Sequence, residues 1–244
     1  MLPWLPEHPI GFPAVETALD EPDGLLAAGG DLSPDWLLAA YRRGIFPWYS
    51  DGQPLLWWSP NPRMVLFPER MRVRRSLAKR LRNAGFDVTA DRAFRDVIEA
   101  CAAPRDGEPG TWITEAMRDA YCRLHTLGAA HSIEVWHDAR LVGGLYGIAL
   151  GPVFFGESMF SRTADASKVA LVSLAGAMQR GDGRLIDCQM HTPHLASLGA
   201  EDIARSTFVS YLDQWLDANP GEAPGRQAAM PAASWSFAEI DATG

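Results

Sequence analysis

Cysteine is scarce in this sequence, and the scarcity excludes several kinds of site. The chain's three cysteines are Cys101, Cys122 and Cys188. None of them forms a CxxC pair, so we expect neither a disulfide framework nor a zinc site, and a reducing compartment fits this usage. His191 and His194 lie three residues apart, but only Asp187 is near them as a further ligand. We therefore expect no metal site and no cofactor that depends on one.

Long apolar runs are also missing. No stretch reaches the roughly 18 uninterrupted apolar residues of a membrane-spanning helix. The chain does not open with basic residues followed by an apolar run, so we expect no secretory signal peptide and a cytoplasmic location. Its 244 residues are enough for one large domain or two modest ones.

Positive charge is in deficit, with a net charge of −8, which argues against a general nucleic-acid binder. One segment reverses that balance, because eight of the 22 basic residues lie between Arg63 and Arg82, opposed only by Glu69. The pattern predicts a helix from Val73 to Asn83, with three cations on one face: Arg75, Lys79 and Arg82. Such a run is either a solvated face or a set of phosphate contacts, and its single sign favours the latter.

The centre of the chain, from residue 131 onward, reads as strands followed by an apolar helix. Three strands are predicted around 132–136, 141–150 and 153–157, with a helix over 169–178 capped by Asp165 and a further strand over 185–189. Earlier in the chain, Ser33 and Thr114 are predicted to cap helices, as is Asp91. Two shorter helices are expected at 194–198 and 208–216.

The familiar catalytic signatures are absent from this central region. Ser158 is not in a GxSxG elbow, and the carboxylate of Asp187 beside Cys188 opposes thiolate formation. The glycines near Gly181 follow a helix, unlike the pyrophosphate loop of acetyl-CoA enzymes. What remains is Glu157 with Asp187 and Gln189, which either satisfy strand ends or position an amine for attack on an already activated ester.

Aromatic residues and prolines are dense between residues 44 and 63. Trp48, Trp57 and Trp58 lie in this region. They are expected either to fill a small hydrophobic core or to offer a ring face on which a base can stack.

Nine short motifs together resemble one family, the leucyl/phenylalanyl-tRNA–protein transferases. They run in order over about residues 11 to 212: GLLAAGGDLSP, AYRRGIFPWYS, WWSPNPR, GTWIT, HSIEVW, LVGGLYG, GESMFSR, LIDCQ and HLASLGA. The resemblance implies an α+β fold in which a small N-terminal domain (1–62) precedes an acetyltransferase-like domain (63–217). That second domain would have a mixed, splayed sheet flanked by helices. Residues 218–244, rich in Ala, Pro and Gly, are expected to form a poorly ordered tail.

The same resemblance implies an aminoacyltransferase (a leucyltransferase). It would move Leu or Phe, with Met as a further candidate, from aminoacyl-tRNA to a protein whose N-terminal residue is Arg or Lys. In the family this marks the acceptor for N-end-rule degradation. The expected partners are the acceptor end of the tRNA and the acceptor protein, with no cofactor, metal or membrane, and the expected state is a monomer.

Site residues follow from the resemblance position by position. Asp187 and Gln189 of DCQ, with Glu157 of GESMFS, would form the catalytic centre, and Trp48 and Trp112 would hold the terminal adenosine. The aminoacyl pocket would be lined by Leu145, Phe154, Met159, Leu171, Leu174 and Ile186. The tRNA-binding cations would be Arg75, Lys79, Arg80 and Arg82.

Some points stay open at the level of sequence. Leu145 stands where the family often has Met, and Leu174 where an aromatic can occur, so the preference between Leu and Phe is not fixed; such changes are worth about 1–3 kcal/mol. Gln189 is read as a base, an orienting group or a hydrogen-bond partner, and the tRNA hydroxyl is an alternative aid to catalysis. A non-catalytic tRNA- or peptide-binding adaptor and a small-molecule N-acetyltransferase are the competing functions.

Overall fold

The computed structural model describes residues 1–104, 112–216 and 237. Its helices are α1 Pro34–Arg42, α2 Arg75–Asn83, α3 Phe94–Ala102, α4 Glu115–Thr126, α5 Ala166–Arg180, α6 Pro193–Ser197 and α7 Arg205–Leu216. Its strands are β1 Trp4–Leu5, β2 Leu25–Gly29, β3 Phe46–Pro47, β4 Leu56–Trp58, β5 Arg63–Leu66, β6 Asp87–Ala90, β7 Ala130–His137, β8 Arg140–Leu150, β9 Val153–Ser161, β10 Leu185–Gln189 and β11 Glu201–Ile203.

The strands form two sheets. A four-stranded sheet has the order β1-β2-β4-β3, and a seven-stranded sheet has the order β11-β5-β10-β9-β8-β7-β6. In the larger sheet β9 and β10 are parallel, and the other neighbours are antiparallel. The predicted α+β class, with a mixed, splayed sheet flanked by helices, is confirmed.

The splay lies between β9 and β10. These strands pair only from Leu185 opposite Val153 to Asp187 opposite Phe155. Beyond Phe155, β9 continues along β8 to Ser161, whereas β10 follows β5 and ends with Gln189 opposite Met64. The two strands therefore diverge and leave an opening in the sheet.

Apolar residues cover both faces of the large sheet. Along β8, Tyr146, Ile148 and Leu150 belong to one hydrophobic core, and Leu145 and Ala149 belong to a second. This alternation follows from the two-residue period of a strand. The first core joins the small sheet, α1, α3, α4 and α7 to the large sheet, and the second lies mainly under α5.

Several predicted helix ends are confirmed, and one predicted cap is wrong. Thr114 Oγ1 accepts a hydrogen bond from Met117 N at 3.2 Å. Ser33 and Asp165 occupy the predicted N-cap positions, but neither side chain makes a capping hydrogen bond. Asp91 does not cap α3. Its Oδ1 instead accepts a hydrogen bond, at 2.9 Å, from the backbone nitrogen of Ser132 in the neighbouring strand. The structure also starts α2 at Arg75, α6 at Pro193 and α7 at Arg205.

The division of the chain at residue 62 stays a prediction. The small sheet uses residues 4–58 and the large sheet uses residues 63–203, but the first core contains residues from both. The predicted tail, residues 218–244, lies outside the described residues except for residue 237. Within the ranges 1–104 and 112–216, no helix is long and apolar enough to cross a membrane.

Candidate active site

The opening between β9 and β10 leads into a pocket of about 310 Å3. The structure brings all the residues predicted as catalytic, adenosine-binding or pocket-lining to this one cavity. They are Trp48, Trp112, Leu145, Phe154, Glu157, Met159, Leu171, Leu174, Ile186, Asp187 and Gln189. The roles assigned to them remain predictions.

The inner wall of the pocket is apolar because strand side chains there face α5. Leu145, Phe154 and Ile186 come from three neighbouring strands, and Leu171 and Leu174 come from the helix that covers them. All five side chains are at most 3% exposed. This wall fits an apolar side chain and offers a polar one no partner.

Glu157 lies on the polar side of the pocket, where three donors surround its carboxylate. Tyr41 Oη donates to Oε1 at 2.7 Å, Tyr121 Oη donates to Oε2 at 2.9 Å, and Gln189 Nε2 donates to Oε1 at 2.9 Å. The two tyrosine hydroxyl oxygens also lie in contact with each other, but each hydroxyl has one proton, so this contact is not a third hydrogen bond while both donate to Glu157. Burial raises the pKa of Glu157 to about 7, although the tyrosine hydrogen bonds oppose the shift.

The same burial acts on the two tyrosines. Loss of hydration and the neighbouring charge of Glu157 raise the pKa of Tyr41 and of Tyr121 well above the usual value. Both hydroxyls therefore keep their protons near neutral pH and serve as donors to Glu157.

Asp187 is fully buried and paired with Arg63. Arg63 Nε donates to Oδ1 at 2.8 Å and Nη2 donates to Oδ2 at 2.6 Å, a bidentate geometry. The guanidinium lies over the rings of Phe46 and Phe208, 4.9 and 4.7 Å from their centroids, and donates to Gly44 O at 3.1 Å. Arg63, which was counted in the basic segment, is 1% exposed and neutralises a buried acid, so it is not part of the exposed basic surface.

Gln189 has an unusual backbone conformation at the end of β10. Its φ is 61°, the pairing with β5 shifts between Asp187 and Gln189, and its amide nitrogen donates to Asp187 Oδ1 at 2.9 Å. Asp187 thus fixes the backbone of Gln189, while Glu157 orients its side-chain amide. Asp187 therefore contacts the backbone of Gln189, and the side-chain amide contacts Glu157.

The aromatic residues divide between the hydrophobic core and the pocket. Trp57 is fully buried and packs against Trp36, with centroids 6.0 Å apart, so it belongs to the core. Trp48 and Trp112 are half-buried and line the pocket. Trp58 fixes the backbone of Trp48, because Trp58 Nε1 donates a hydrogen bond to Trp48 O at 2.6 Å.

The basic helix α2 lies apart from the pocket. Arg75, Lys79 and Arg82 are exposed. Arg80 differs from them, because its Nη2 donates to Ala164 O at 3.3 Å and its guanidinium lies 5.6 Å from the centroid of Phe86. The helix therefore presents three cations to solvent and uses the fourth to pack.

Sequence reasoning missed three members of the site, namely Tyr41, Tyr121 and Arg63. Each tyrosine has the helical spacing of a core residue, and nothing in that pattern reveals that its hydroxyl meets a carboxylate. Arg63 left a usable signal, because it opens the apolar strand β5 and an arginine there requires a buried acid.

The sequence also predicted that Cys188 is not a nucleophile and that the protein has no metal site. Burial and the charge of Asp187 raise the pKa of the Cys188 thiol well above its usual range, which opposes a nucleophilic role. Among the residues that the structure describes, no group of three or more His, Cys, Asp or Glu side chains is placed to hold a metal ion.

Comparison with known proteins identifies relatives of this chain. The model of the leucyl/phenylalanyl-tRNA protein transferase family matches residues 65–213, and that of the family's N-terminal domain matches residues 30–61. The chain is 71% identical to the leucyl/phenylalanyl-tRNA–protein transferase of Chromohalobacter salexigens over 89% of this chain and 85% of that protein. It is 60% identical to the protein of the same name from Azoarcus over 97% of this chain and 96% of that protein.

Solved structures give a more distant likeness. A GCN5-related N-acetyltransferase from Kribbella flavida shares 13% identity at a TM-score of 0.33, covering 70% of this chain and 61% of its own. At that score the likeness carries no argument about the site. The sequence matches show that the chain belongs to the leucyl/phenylalanyl-tRNA–protein transferase family.

Proposed function

We propose that this protein transfers leucine or phenylalanine from aminoacyl-tRNA to the N-terminus of an acceptor protein. Family membership supports the reaction, and the relatives' names supply the two amino acids and the two substrates. The resemblance of the motifs adds the acceptor's N-terminal Arg or Lys and its degradation by the N-end rule. The proposed enzyme is a cytoplasmic monomer that works without a cofactor or a metal.

One observation carries this proposal: the same pocket has an apolar inner wall and, on its other side, buried polar groups. The aminoacyl side chain would occupy the apolar end, and its ester carbonyl would then lie near Glu157 and Gln189. In the reaction the acceptor nitrogen bonds to the carbonyl carbon, and the ester C–O bond to the ribose breaks. The proton lost by the amine ends on the ribose oxygen. The ester already carries its leaving group, so the protein needs only to position the amine and handle its proton.

Glu157 and Gln189 are suited to the amine. The carboxylate of Glu157 would take a proton from the incoming ammonium, which its raised pKa of about 7 makes reversible at neutral pH. Because Gln189 Nε2 points to Glu157 at 2.9 Å, its Oε1 lies on the other side of the amide and is the atom to accept an amine N–H. Asp187, held by Arg63, would act as a positioning residue for Gln189 rather than touch the substrate.

The tRNA would be held at two places. Trp48 and Trp112 are the proposed partners of the terminal adenosine, since each is half-buried at the pocket. The exposed face of α2, formed by Arg75, Lys79 and Arg82, would contact the phosphates of the acceptor stem, with Arg80 beside them.

A transfer assay tests the function directly. The protein is incubated with Leu-tRNA or Phe-tRNA and a peptide beginning with Arg, and the product is identified by mass spectrometry. We expect Leu-Arg-peptide and Phe-Arg-peptide, whereas an otherwise identical peptide beginning with Asp should be left unchanged. Absence of product with both charged tRNAs would contradict the proposal, and acetylation of a small amine by acetyl-CoA would point to the competing function.

A further inference from the structure

A second cavity, of about 710 Å3, adjoins the pocket. The two share Met159, Thr192 and Leu195, so they lie on either side of the same residues. Its remaining lining residues are Ala100, Ala103, Pro104, Phe160, Ser161, Arg162, Ser167 and His194.

A third cavity, of about 320 Å3, extends the second towards α2. The two have Ser161, Arg162, Ser167 and His194 in common. The third is also lined by Ala164, whose carbonyl oxygen accepts a hydrogen bond from Arg80 of α2. The second and third cavities, which we call the side groove, thus connect the pocket to the basic helix.

The side groove is basic although the protein as a whole is acidic. Arg162 is fixed along it by a hydrogen bond from Nη1 to Leu141 O, at 3.0 Å, and by the Phe160 ring, whose centroid is 5.3 Å from its guanidinium carbon. Lys168 lies beside it and pairs with Asp165 at 2.7 Å. Among the described lining residues of the groove, Asp165 is the one carboxylate.

His194 adds a further nitrogen donor or acceptor to the same wall. Burial, and then the charge of Lys168, lower the pKa of His194, so it is mostly neutral near pH 7. Lys168 and His194 both line the third cavity. A neutral imidazole can still donate one hydrogen bond to an anionic oxygen.

We propose that the side groove binds the single-stranded 3′ end of the tRNA, with Arg162 and Lys168 contacting the phosphates that precede the terminal adenosine. The inference rests on the proposed function, because it assumes that the adenosine lies at the pocket. A phosphodiester strand leaving that pocket towards the cations of α2 would follow the groove. The acceptor polypeptide suits the groove less well, because its N-terminal residue is cationic and would meet Arg162 and Lys168.

Binding of two RNA hairpins to the full chain tests this assignment without any transfer step. One hairpin has an acceptor-stem duplex with a short unpaired 3′ end, and the other has the same duplex with a blunt end. Their Kd values are measured by fluorescence anisotropy over a range of salt concentrations. The variants are Arg162→Gln, Lys79→Ala on α2, and Arg140→Gln, which removes a matched exposed charge from the hairpin between β7 and β8.

We expect the wild type to bind the overhang hairpin more tightly than the blunt one. Arg162→Gln should weaken binding of the overhang hairpin by about three- to tenfold, the effect of one ordinary hydrogen bond at an exposed site, and leave binding of the blunt hairpin unchanged. It should also lower the salt slope for the overhang hairpin by about 0.7, the value for one single-strand phosphate contact. Lys79→Ala should weaken both hairpins alike, and Arg140→Gln neither.

Three results would overturn the assignment. Arg162→Gln could leave the preference for the overhang intact, or it could weaken both hairpins equally, which would make Arg162 a duplex contact. It could also leave RNA binding unchanged and raise KM for the Arg peptide, which would assign the groove to the acceptor. Failure of the transfer function itself would appear separately, as a wild type that forms no Leu-Arg-peptide.

Discussion

At the scale of single residues, the site contains two buried carboxylates whose charges are stabilised by different kinds of partner. Asp187 receives a full counter-charge from Arg63, whereas Glu157 receives hydrogen bonds from two hydroxyls and an amide. Hydrogen bonds from neutral donors offset less of the cost of burying a charge than an arginine does. Glu157 is therefore the carboxylate whose proton can move near neutral pH.

The pH dependence of transfer should reveal this difference. Because the pKa of Glu157 is about 7, its carboxylate form is lost as the pH falls through that value. We expect kcat/KM of the wild type to rise through a step near pH 7, and this step to be missing from Glu157→Gln. The measurement is the rate of Leu transfer to an Arg peptide between acidic and mildly alkaline pH.

Glu134 provides a matched control. It is also a buried carboxylate whose pKa burial raises, but it is bonded to Ser132 and Thr89, and it does not line the pocket. Glu134→Gln should keep the step near pH 7. A profile that stays the same in Glu157→Gln would remove Glu157 from the proton-transfer role.

The buried ion pair between Arg63 and Asp187 should contribute more to the free energy of unfolding than an exposed ion pair does. Arg63→Met leaves a buried acid without its partner, and we expect the free energy of unfolding to fall by about 3–5 kcal/mol. Urea denaturation followed by circular dichroism measures the change.

The comparison is Arg70→Met. Arg70 forms an ion pair with Glu201 in which both side chains are about half exposed, and the expected loss is about 1 kcal/mol or less. Equal losses for the two arginine variants would mean that the buried pair has no special weight.

At the scale of elements, the pocket depends on close packing between β8 and β9. Gly147 lies opposite Gly156, where the pairing of the two strands is irregular. A Cβ added at Gly147 would lie 2.1 Å from Phe155 O and 2.6 Å from Cε1 of Phe154, a pocket residue. Gly147 therefore allows the strands to approach closely while Phe154 forms part of the apolar wall.

Alanine substitutions at two glycines should have opposite effects. Gly147→Ala forces backbone or ring to move, and we expect a loss of about 1–3 kcal/mol in the free energy of unfolding. Gly176→Ala in α5 meets only the end of Arg180, at 3.4 Å, and should add about 0.5–1 kcal/mol through helix propensity. Thermal unfolding of both variants measures the difference, and a neutral Gly147→Ala would contradict the close packing.

The elements that could be predicted from the sequence are those with a long, regular pattern. The strands β7 to β10 and the helix α5 repeat their apolar residues at the strand or helix period, and the structure has them in place. The strands β1, β3 and β11 have two or three residues each, too few for a period to appear. The cap of α3 failed because Asp91 binds a strand that is distant in sequence.

The candidate site, like the fold, could be predicted only in part from the sequence. Motif resemblance brought the pocket residues together, but the partners of Glu157 and Asp187 come from α1, α4 and β5, which are remote in the chain. Long-range hydrogen bonds between side chains leave no local pattern, so Tyr41, Tyr121 and Arg63 required the structure.

At the scale of the whole molecule, the N-terminal residues and the large sheet share one core. Trp36 and Trp57 belong to the same core as Tyr146 and Phe155, and Tyr41 reaches across to Glu157. Residues 1–62 are therefore part of the site's structure, whether or not they fold as a separate domain.

Cooperative unfolding is the expected result of that shared core. We expect tryptophan fluorescence, which includes Trp36 and Trp57 of the N-terminal part, and far-UV circular dichroism, which reports mainly on the large sheet and helices, to give one coincident transition in urea. Two separated transitions would show that the two parts unfold independently.

The pocket lies where the two hydrophobic cores meet, and this location has a practical consequence. Its inner wall, including Leu145, Leu171 and Leu174, belongs to the core under α5, whereas Tyr41 and Tyr121 belong to the other. Size changes at Leu145, Leu171 or Leu174 therefore fall outside the core that contains the two tyrosines bonded to Glu157. An engineered protein with a wider wall would be a starting point for attaching non-natural amino acids to chosen protein N-termini.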